Sequence, residues 1–230
     1  MAHLDLLKFV IASEFSSALI VEDDVDWDIN LKDQMRLIST NVRTLTQTGD
    51  HDASAFGPHW DVLWLGNCGE RTDDAEGLHL DFEDETRIPT EAYAGWAKQF
   101  LRNGVKEGNR RVQEALNPVC SFGYGVTKDS AQKILSLLAK GADEAFDVAL
   151  QHQCTSGALK CIVVFPEVMH HYEPPKDAGY NSLVHEGDGQ NAAAAEDAFE
   201  GKKGSTANIV HSARCHALFK EDCLAAPRNV

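Results

Sequence analysis

Apolar and polar residues alternate along the chain with two different periods. Residues 2–15 and 27–46 carry apolar side chains at every third or fourth position, which predicts amphipathic helices. Four short runs predict strands, and the apolar ones among them are typical of strands buried on both faces; these runs lie at residues 18–21, 60–66, 120–126 and 160–165. Strands separated by helical segments indicate an α/β fold in which helices flank a mostly parallel sheet.

The middle of the chain is less periodic. Residues 67–118 mix charged residues, glycines and isolated aromatics, so we predict an irregular insertion there with one helix near residues 91–101. Helical spacing returns over residues 129–139, and a further helix is predicted in the 143–153 region.

The composition changes after the prolines at 174 and 175. Residues 187–206 hold an alanine run followed by glycine, lysine and serine, which is typical of a flexible linker or tail. We therefore expect one domain over residues 1–175 and a partly flexible C-terminal extension over residues 176–230, with one last helix within 208–226.

The excess of acidic over basic side chains bears on which partners the chain can bind. The chain has 36 acidic and 21 basic side chains, a net charge of −15, so its surface repels a polyanion and we expect no nucleic-acid partner. Its apolar runs are all shorter than the roughly 20 residues of a membrane span, so we expect no membrane span in this chain. The first residues lack the pattern of a signal peptide, so the location stays open: cytoplasmic by default, or the secretory pathway if the chain is truncated at its N-terminus.

The six cysteines do not form a recognisable framework. None lies in a C-x-x-C pair, so a structural zinc knuckle is not expected. Cys154 and Cys161 flank a short glycine-containing turn and are able to bridge in an oxidising compartment. The preferred interpretation is that the cysteines are reduced and partly buried.

A group of carboxylates follows the first apolar strand. Glu22, Asp23, Asp24 and Asp26 come directly after residues 18–21. In open α/β sheets ligands bind beyond the carboxyl ends of the strands. Neighbouring carboxylates repel one another unless something neutralises them, and oxygen ligands suit a hard cation such as Mn²⁺ or Mg²⁺. The sequence therefore predicts a metal site, with a solvated acidic turn before a helix as the alternative.

Several segments together resemble glycosyltransferase family 25, which includes lipopolysaccharide glycosyltransferases and collagen galactosyltransferases. The first is Glu22-Asp23-Asp24, which is similar to the D-x-D-type element of that family. The other segments that resemble family elements, in the same order along the chain, are Ala2-His3, Asp61–Gly66, Cys120–Val126 with Ala131–Leu135, and Ala145-Phe146-Asp147. The resemblance covers about residues 2–175, and the runs at 22–28 and 60–66 are most similar to the fungal branch.

This resemblance implies a GT-A-like, Rossmann-like fold and the transfer of a sugar from a nucleotide-sugar donor, UDP-sugar being the expected one. The acceptor is a hydroxyl of a glycan or a protein, and the transfer inverts the sugar configuration. Family chains usually carry a strand and an acidic/arginine segment upstream of the position of His3. This sequence begins directly in the following helix, so the resemblance implies a GT-A-like domain without its N-terminal nucleotide-binding segment.

The resemblance also implies roles for the acidic residues. Glu22, Asp23 and Asp24 bind the donor with its cofactor. Asp24 and a neighbour hold the Mn²⁺ or Mg²⁺ that bridges the diphosphate, and the neighbour is Glu22, Asp23 or Asp26. Strand alternation allows Glu22 and Asp24 to share a side.

Two further roles come from later segments. His170 and His171 follow the fourth strand and complete the metal shell, with a surface-loop position as the alternative for each histidine. The inverting transfer that the resemblance implies needs a base to deprotonate the acceptor hydroxyl, and Asp147 is the candidate. Asp143 and Glu144 compete for that role, and the alternative for Asp147 is a helix N-cap or a solvated acid.

Two other functions stay open at this point. Carboxylates at a strand end also serve metal-dependent phosphohydrolases. A non-catalytic glycosyltransferase remnant that binds a partner through the retained scaffold is the second alternative.

Overall fold

The fold combines helices with two β-sheets. In the computed structural model of the protein, residues 2–73, 77–139, 144–178 and 200–225 are described. The helices are α1 (Ala2–Ala12), α2 (Leu31–Leu45), α3 (Lys98–Gly104), α4 (Lys128–Leu138), α5 (Phe146–Thr155) and α6 (Ala213–Phe219). The strands are β1 (Ser17–Val21), β2 (Val25–Trp27), β3 (Val62–Gly66), β4 (His79–Glu83), β5 (Asn109–Glu114), β6 (Gly123–Thr127), β7 (Cys161–Phe165), β8 (Met169–Glu173) and β9 (Ser205–Thr206). The α/β class is thereby confirmed.

The larger sheet is mostly antiparallel, so the prediction of a mostly parallel sheet is wrong. Its strand order is β1-β6-β3-β7-β5-β4, and only β3 and β7 form a parallel pair among the described strands. Continuous apolar strands favour a parallel sheet, but an antiparallel strand covered on both faces has the same kind of sequence. The pairings nevertheless make β1, β3, β7 and β4 run in one direction, because β6 and β5 lie between or beside them in the opposite direction.

Two helical layers cover the sheet. Helices α1, α4 and α5 pack on one face around Trp64 and Tyr124, which are fully buried. Helix α2 packs on the other face, where Ile38 and Val42 contact Leu63 and its neighbours. Helix α4 begins at a capping box formed by Thr127 with Ser130.

Residues 67–118, predicted to be irregular, contain two strands of the larger sheet. Strands β4 and β5 pair with each other, and β5 pairs with β7. Their apolar pattern is weak because buried cations lie in β5: Arg110 pairs with Asp84 at 2.7 Å, and Arg111 pairs with Asp81 at 2.6 Å. Ion pairs replace apolar contacts in this part of the core, which hides the strands from a hydropathy pattern.

The smaller sheet joins the C-terminal segment to the start of the chain. Its strand order is β2-β8-β9, and an isolated bridge links Asp28 with Ser212. Residues 25–27 form β2, although the sequence predicts a helix from residue 27 onward, and α2 begins at Leu31. The predicted linker at 187–206 lies partly outside the described residues, and Asp143 lies wholly outside them. The described part of the extension, 200–225, packs on β2 and β8.

All six cysteines are paired, which corrects the expectation of reduced thiols. Disulfides join Cys68 with Cys120, Cys154 with Cys161, and Cys215 with Cys223. The Cα atoms of each pair lie within bonding range, at 5.5, 5.5 and 6.1 Å. The short bridge between 154 and 161 is one of the possibilities that the sequence leaves open.

Candidate active site

Three strand ends and one crossing strand form the candidate site. Strands β1, β3 and β7 run in the same direction, so the segments that follow them meet at one end of the sheet. Strand β8 passes close over that end, because a Cβ atom added to Gly123 would lie 2.5 Å from Met169 Sδ. The small residue at 123 therefore allows the histidines of β8 to approach the acidic segment after β1.

Glu22 lies at the centre of a hydrogen-bond network. The Ser121 hydroxyl donates to Glu22 Oε1 at 2.7 Å, and His3 Nε2 lies 3.7 Å from the same oxygen. His3 Nδ1 lies 3.0 Å from the Tyr124 hydroxyl, and the His3 ring stacks on Phe146 at 4.4 Å. Burial lowers the pKa of His3. A neutral His3 that accepts from Tyr124 and donates to Ser121 satisfies this network.

Asp24 is half-buried beside Glu22 and β8. Burial and then the negative charge of Glu22 raise the pKa of the Asp24 carboxyl, whereas His171 acts in the opposite direction. The backbone fixes this position, because Tyr172 N–H donates to the Asp24 carbonyl at 2.8 Å. Glu22 and His171 therefore both lie close enough to Asp24 to act on its carboxyl, with opposite signs.

The two histidines occupy different environments. His170 is 7% exposed, and burial, followed by the neighbouring His171, lowers its pKa to about 4. His171 Nε2 lies 3.0 Å from Glu173 Oε1, while within the described part of the chain its buried Nδ1 has no hydrogen-bond partner. Both rings lie 5.0 Å from the ring of Phe122. They are part of β8 and not of a surface loop.

Asp147 lies at the first turn of α5, next to the residues that contact Glu22. Its Oδ2 accepts a hydrogen bond from Cys120 N–H at 2.9 Å. Three consecutive residues, Cys120 to Phe122, thus contact Asp147, Glu22 and the two histidines of β8 in turn. The disulfide from Cys120 to Cys68 fixes this segment to the end of β3. Of the competing acids, Glu144 pairs with His152 at 3.0 Å.

The remaining predicted acids do not join this group. Asp26 is 2% exposed and accepts hydrogen bonds from the Ser212 hydroxyl, from Trp27 N–H at 2.8 Å and from Arg214 N–H at 3.2 Å. Burial raises the pKa of Asp26, and these hydrogen bonds oppose the rise. Asp26 therefore holds α6 against β2, and this geometry does not favour a role as metal ligand. Asp23 is exposed at the surface.

The donor set at this end of the sheet fits a hard divalent cation. Two carboxylates, Glu22 and Asp24, supply oxygen ligands, and the orphaned nitrogen of His171 is a further donor. The donor atoms of Glu22, Asp24 and His171 do not all lie within 4.8 Å of one another. Over the residues described, the only three metal-ligating side chains that meet this criterion are His211, His216 and Asp222. A cation at Glu22 and Asp24 would need further ligands from its substrate or from water.

Sequence reasoning missed the residues that orient the acids. Ser121, Tyr124 and His3 lie within segments that resemble family elements, but no spacing rule connects positions 118 residues apart, as His3 and Ser121 are. Glu167 was also missed; it is fully buried and accepts hydrogen bonds from Asn208 and Tyr93 at 2.6 and 3.1 Å. Its sequence signal is a charged residue that directly follows a proline at the end of an apolar strand.

A cavity of about 740 Å³ lies away from these residues. It opens at the opposite end of the larger sheet, where β7 begins, and is lined by Leu45, His59, Leu78, Leu116, Thr155 and Lys160 among others. The acidic site is therefore separate from this large cavity.

Comparison with known proteins gives no assignment: no protein-family model matches the chain, and no curated protein matches it. Among the described helices, none has the length and apolarity that crossing a bilayer requires.

Proposed function

We propose that this chain is a metal-dependent, inverting glycosyltransferase domain of the family 25 type with a GT-A-like fold. It transfers a sugar from a UDP-sugar to a hydroxyl of a glycan or a protein. The observation that carries the proposal is the single segment Cys120–Phe122, which gathers Asp147, Glu22 and the β8 histidines at one end of the sheet. Residues far apart in sequence thus lie near one another, and together they offer a candidate base and candidate metal ligands.

The roles follow from the chemistry of each side chain. Glu22 and Asp24, with His171 beside them, would hold Mn²⁺ or Mg²⁺, which when bound offsets the negative charge of the donor diphosphate. Asp147 accepts the proton of the acceptor hydroxyl as the new glycosidic C–O bond forms and the nucleoside diphosphate leaves with the electrons of the old bond. Ser121 and His3 orient Glu22 for this task.

The test is a thermal-shift titration with UDP-sugar and Mn²⁺, followed by a transfer assay. We expect the ligand pair to raise the melting temperature of the wild type and Asp24→Asn to abolish the rise. The matched control is Asp129→Asn, an exposed aspartate just after β6, at the opposite end of the sheet. A wild type whose melting temperature does not respond to any UDP-sugar with Mn²⁺ overturns the proposal in favour of a non-catalytic remnant.

A second variant separates binding from chemistry. Asp147→Asn keeps an oxygen that accepts from Cys120 N–H, so we expect donor binding to persist and transfer to fall by about 10²-fold or more. Undiminished transfer in this variant would exclude Asp147 as the base. Manganese-dependent release of inorganic phosphate from phosphoesters would instead favour a phosphohydrolase.

A further inference from the structure

A second group of metal-ligating side chains lies in the C-terminal segment and shares no residue with the pair Glu22 and Asp24. His211 Nδ1 lies 3.1 Å from Asp222 Oδ1, and His216 Nε2 lies 2.8 Å from the same oxygen. The three donor atoms all lie within 4.8 Å of one another. We propose that His211, His216 and Asp222 form a binding site for a borderline divalent transition-metal ion, Zn²⁺ in particular.

The ligand types select this class of cation. Imidazole nitrogen together with one carboxylate suits Zn²⁺, whereas Mn²⁺ and Mg²⁺ prefer oxygen ligands. Each histidine presents one nitrogen to the Asp222 oxygen, and the neutral tautomer with its proton on the other nitrogen leaves that donor atom available for a metal. The site therefore differs in preference from the pair Glu22 and Asp24.

The covalent structure holds two of the three ligands close together. His216 follows Cys215 directly, Asp222 precedes Cys223 directly, and these two cysteines form a disulfide with a Cα–Cα distance of 6.1 Å. The disulfide thus fixes both ligand-bearing positions before any metal binds. Preorganisation of this kind reduces the entropy that ligand ordering would otherwise cost.

A separate contact fixes the third ligand. The backbone of His211 bonds on both sides to the segment after β2, since His211 N–H donates to Asp28 Oδ2 at 3.0 Å and Ile29 N–H donates to the His211 carbonyl at 2.9 Å. Asp28 is 1% exposed, so this anchor lies in the interior.

The site has room for ligands beyond the three side chains. The side chains of His211, His216 and Asp222 are 43%, 38% and 52% exposed. Three protein ligands with solvent on the remaining side leave a position for water or for a donor group of a partner. A bound ion would link His211, which precedes α6, with His216 in α6 and Asp222 beyond it. This link would stabilise the packing of the C-terminal segment on β2.

The test is a calorimetric titration of the full, disulfide-bonded chain with Zn²⁺ alone, without nucleotide sugar. We expect one equivalent to bind and Tm to rise. His211→Ala and His216→Ala should each weaken this binding by more than the roughly tenfold that loss of an outer-sphere partner already costs. The matched control is His152→Ala, an exposed histidine whose ring pairs with Glu144.

Two further measurements keep the result interpretable. Asp24→Asn should leave the Zn²⁺ stoichiometry unchanged, because that residue belongs to the other site. If the alanine variants fold poorly, nitrogen NMR of the wild type should show Zn²⁺-induced shifts at His211 Nδ1 and His216 Nε2. Absence of those shifts, or Zn²⁺ affinity that His211→Ala and His216→Ala leave intact, would mean a hydrogen-bonded surface cluster only and would overturn the proposal.

Discussion

Glu167 links the stability of the fold to pH. Burial raises the pKa of its carboxyl to about 7, from an ordinary value of 4.5. Asn208 and Tyr93 donate to it, His170 Nε2 lies 3.8 Å from Oε1, and Arg110 donates to its backbone carbonyl at 2.9 Å. The folded protein therefore binds this proton more tightly than the unfolded chain does. The associated stability is fully present below about pH 4.5 and is lost as pH rises through about 7.

Glu167→Gln should remove this part of the pH dependence. The amide cannot ionise, so the variant gains stability relative to the wild type as pH rises from about 4.5 to about 7.5, by up to about 3 kcal/mol. Urea unfolding at both pH values measures the difference, with the exposed Glu85→Gln as control. Glu70, whose pKa burial also raises to about 7, contributes equally to both proteins. A constant difference between Glu167→Gln and wild type across this range would contradict the assignment.

Asp26 lies in the segment predicted to bind a metal, but its contacts are those of a structural residue. It accepts hydrogen bonds from the Ser212 hydroxyl and Arg214 N–H and is almost fully buried. We expect Asp26→Asn and Ser212→Ala each to lower the free energy of unfolding by about 1–3 kcal/mol, with a coupling between them of about 1 kcal/mol in a double-mutant cycle. The Tm rise caused by UDP-sugar with Mn²⁺ should persist in both variants. Loss of that rise in Asp26→Asn with unchanged stability would return Asp26 to the metal ligands.

At the scale of elements, the disulfides differ in the length of chain that they close. The bridge from Cys68 to Cys120 spans 52 residues and holds the site segment, whereas the bridge from Cys154 to Cys161 spans 7 residues. Loop-closure entropy then predicts that Cys68→Ala with Cys120→Ala costs about 4 kcal/mol of stability, and Cys154→Ala with Cys161→Ala about 2 kcal/mol. Urea denaturation without reductant compares the two variants. Equal losses, or a larger loss for the short bridge, would show that strain or residual structure outweighs loop length.

The elements that could be predicted are those that are buried through apolar side chains. Strands β1, β3 and β7 lie within two residues of their predicted bounds, because a short continuous apolar run is typical of a buried strand. Strand β5 was not predicted, since Arg110 and Arg111 are buried through ion pairs. Strand β2 was not predicted, because its three residues, Val25–Trp27, lie in an acidic segment of the kind that is common at the start of a helix. Its pairing partner, β8, lies more than 140 positions further along the chain, and no local pattern encodes such a partner.

The same distinction applies to the candidate site. Strand direction determines the end of the sheet at which the acidic segment after β1 emerges, and β1, β3 and β7 share that direction although the sheet is mostly antiparallel. The different environments of Asp24 and Asp26 could not be predicted. They depend on the C-terminal segment, whose Ser212 reaches Asp26 from 186 positions away.

At the scale of the whole molecule, the C-terminal segment completes the fold. It supplies β9 to the smaller sheet, the hydrogen bonds that bury Asp26 and Asp28, and the disulfide beside α6. The chain is highly acidic, with a net charge of −15. Cations bound at either of the two proposed sites would reduce the repulsion among these charges, so we expect metal binding to raise the stability of the molecule.

The stability of the molecule is expected to depend on the redox state of its three disulfides. All six cysteines are paired, which is typical of proteins that fold in an oxidising compartment. We expect chain produced in an oxidising compartment to resist thiol alkylation even when denatured. Reduction should then add two hydrogens for each of the three bridges and lower Tm. The matched sample is the same chain produced in a reducing cytosol. If that sample accepts six alkyl groups on denaturation yet melts at the same temperature, the bridges do not stabilise the fold, and compartment and stability are independent.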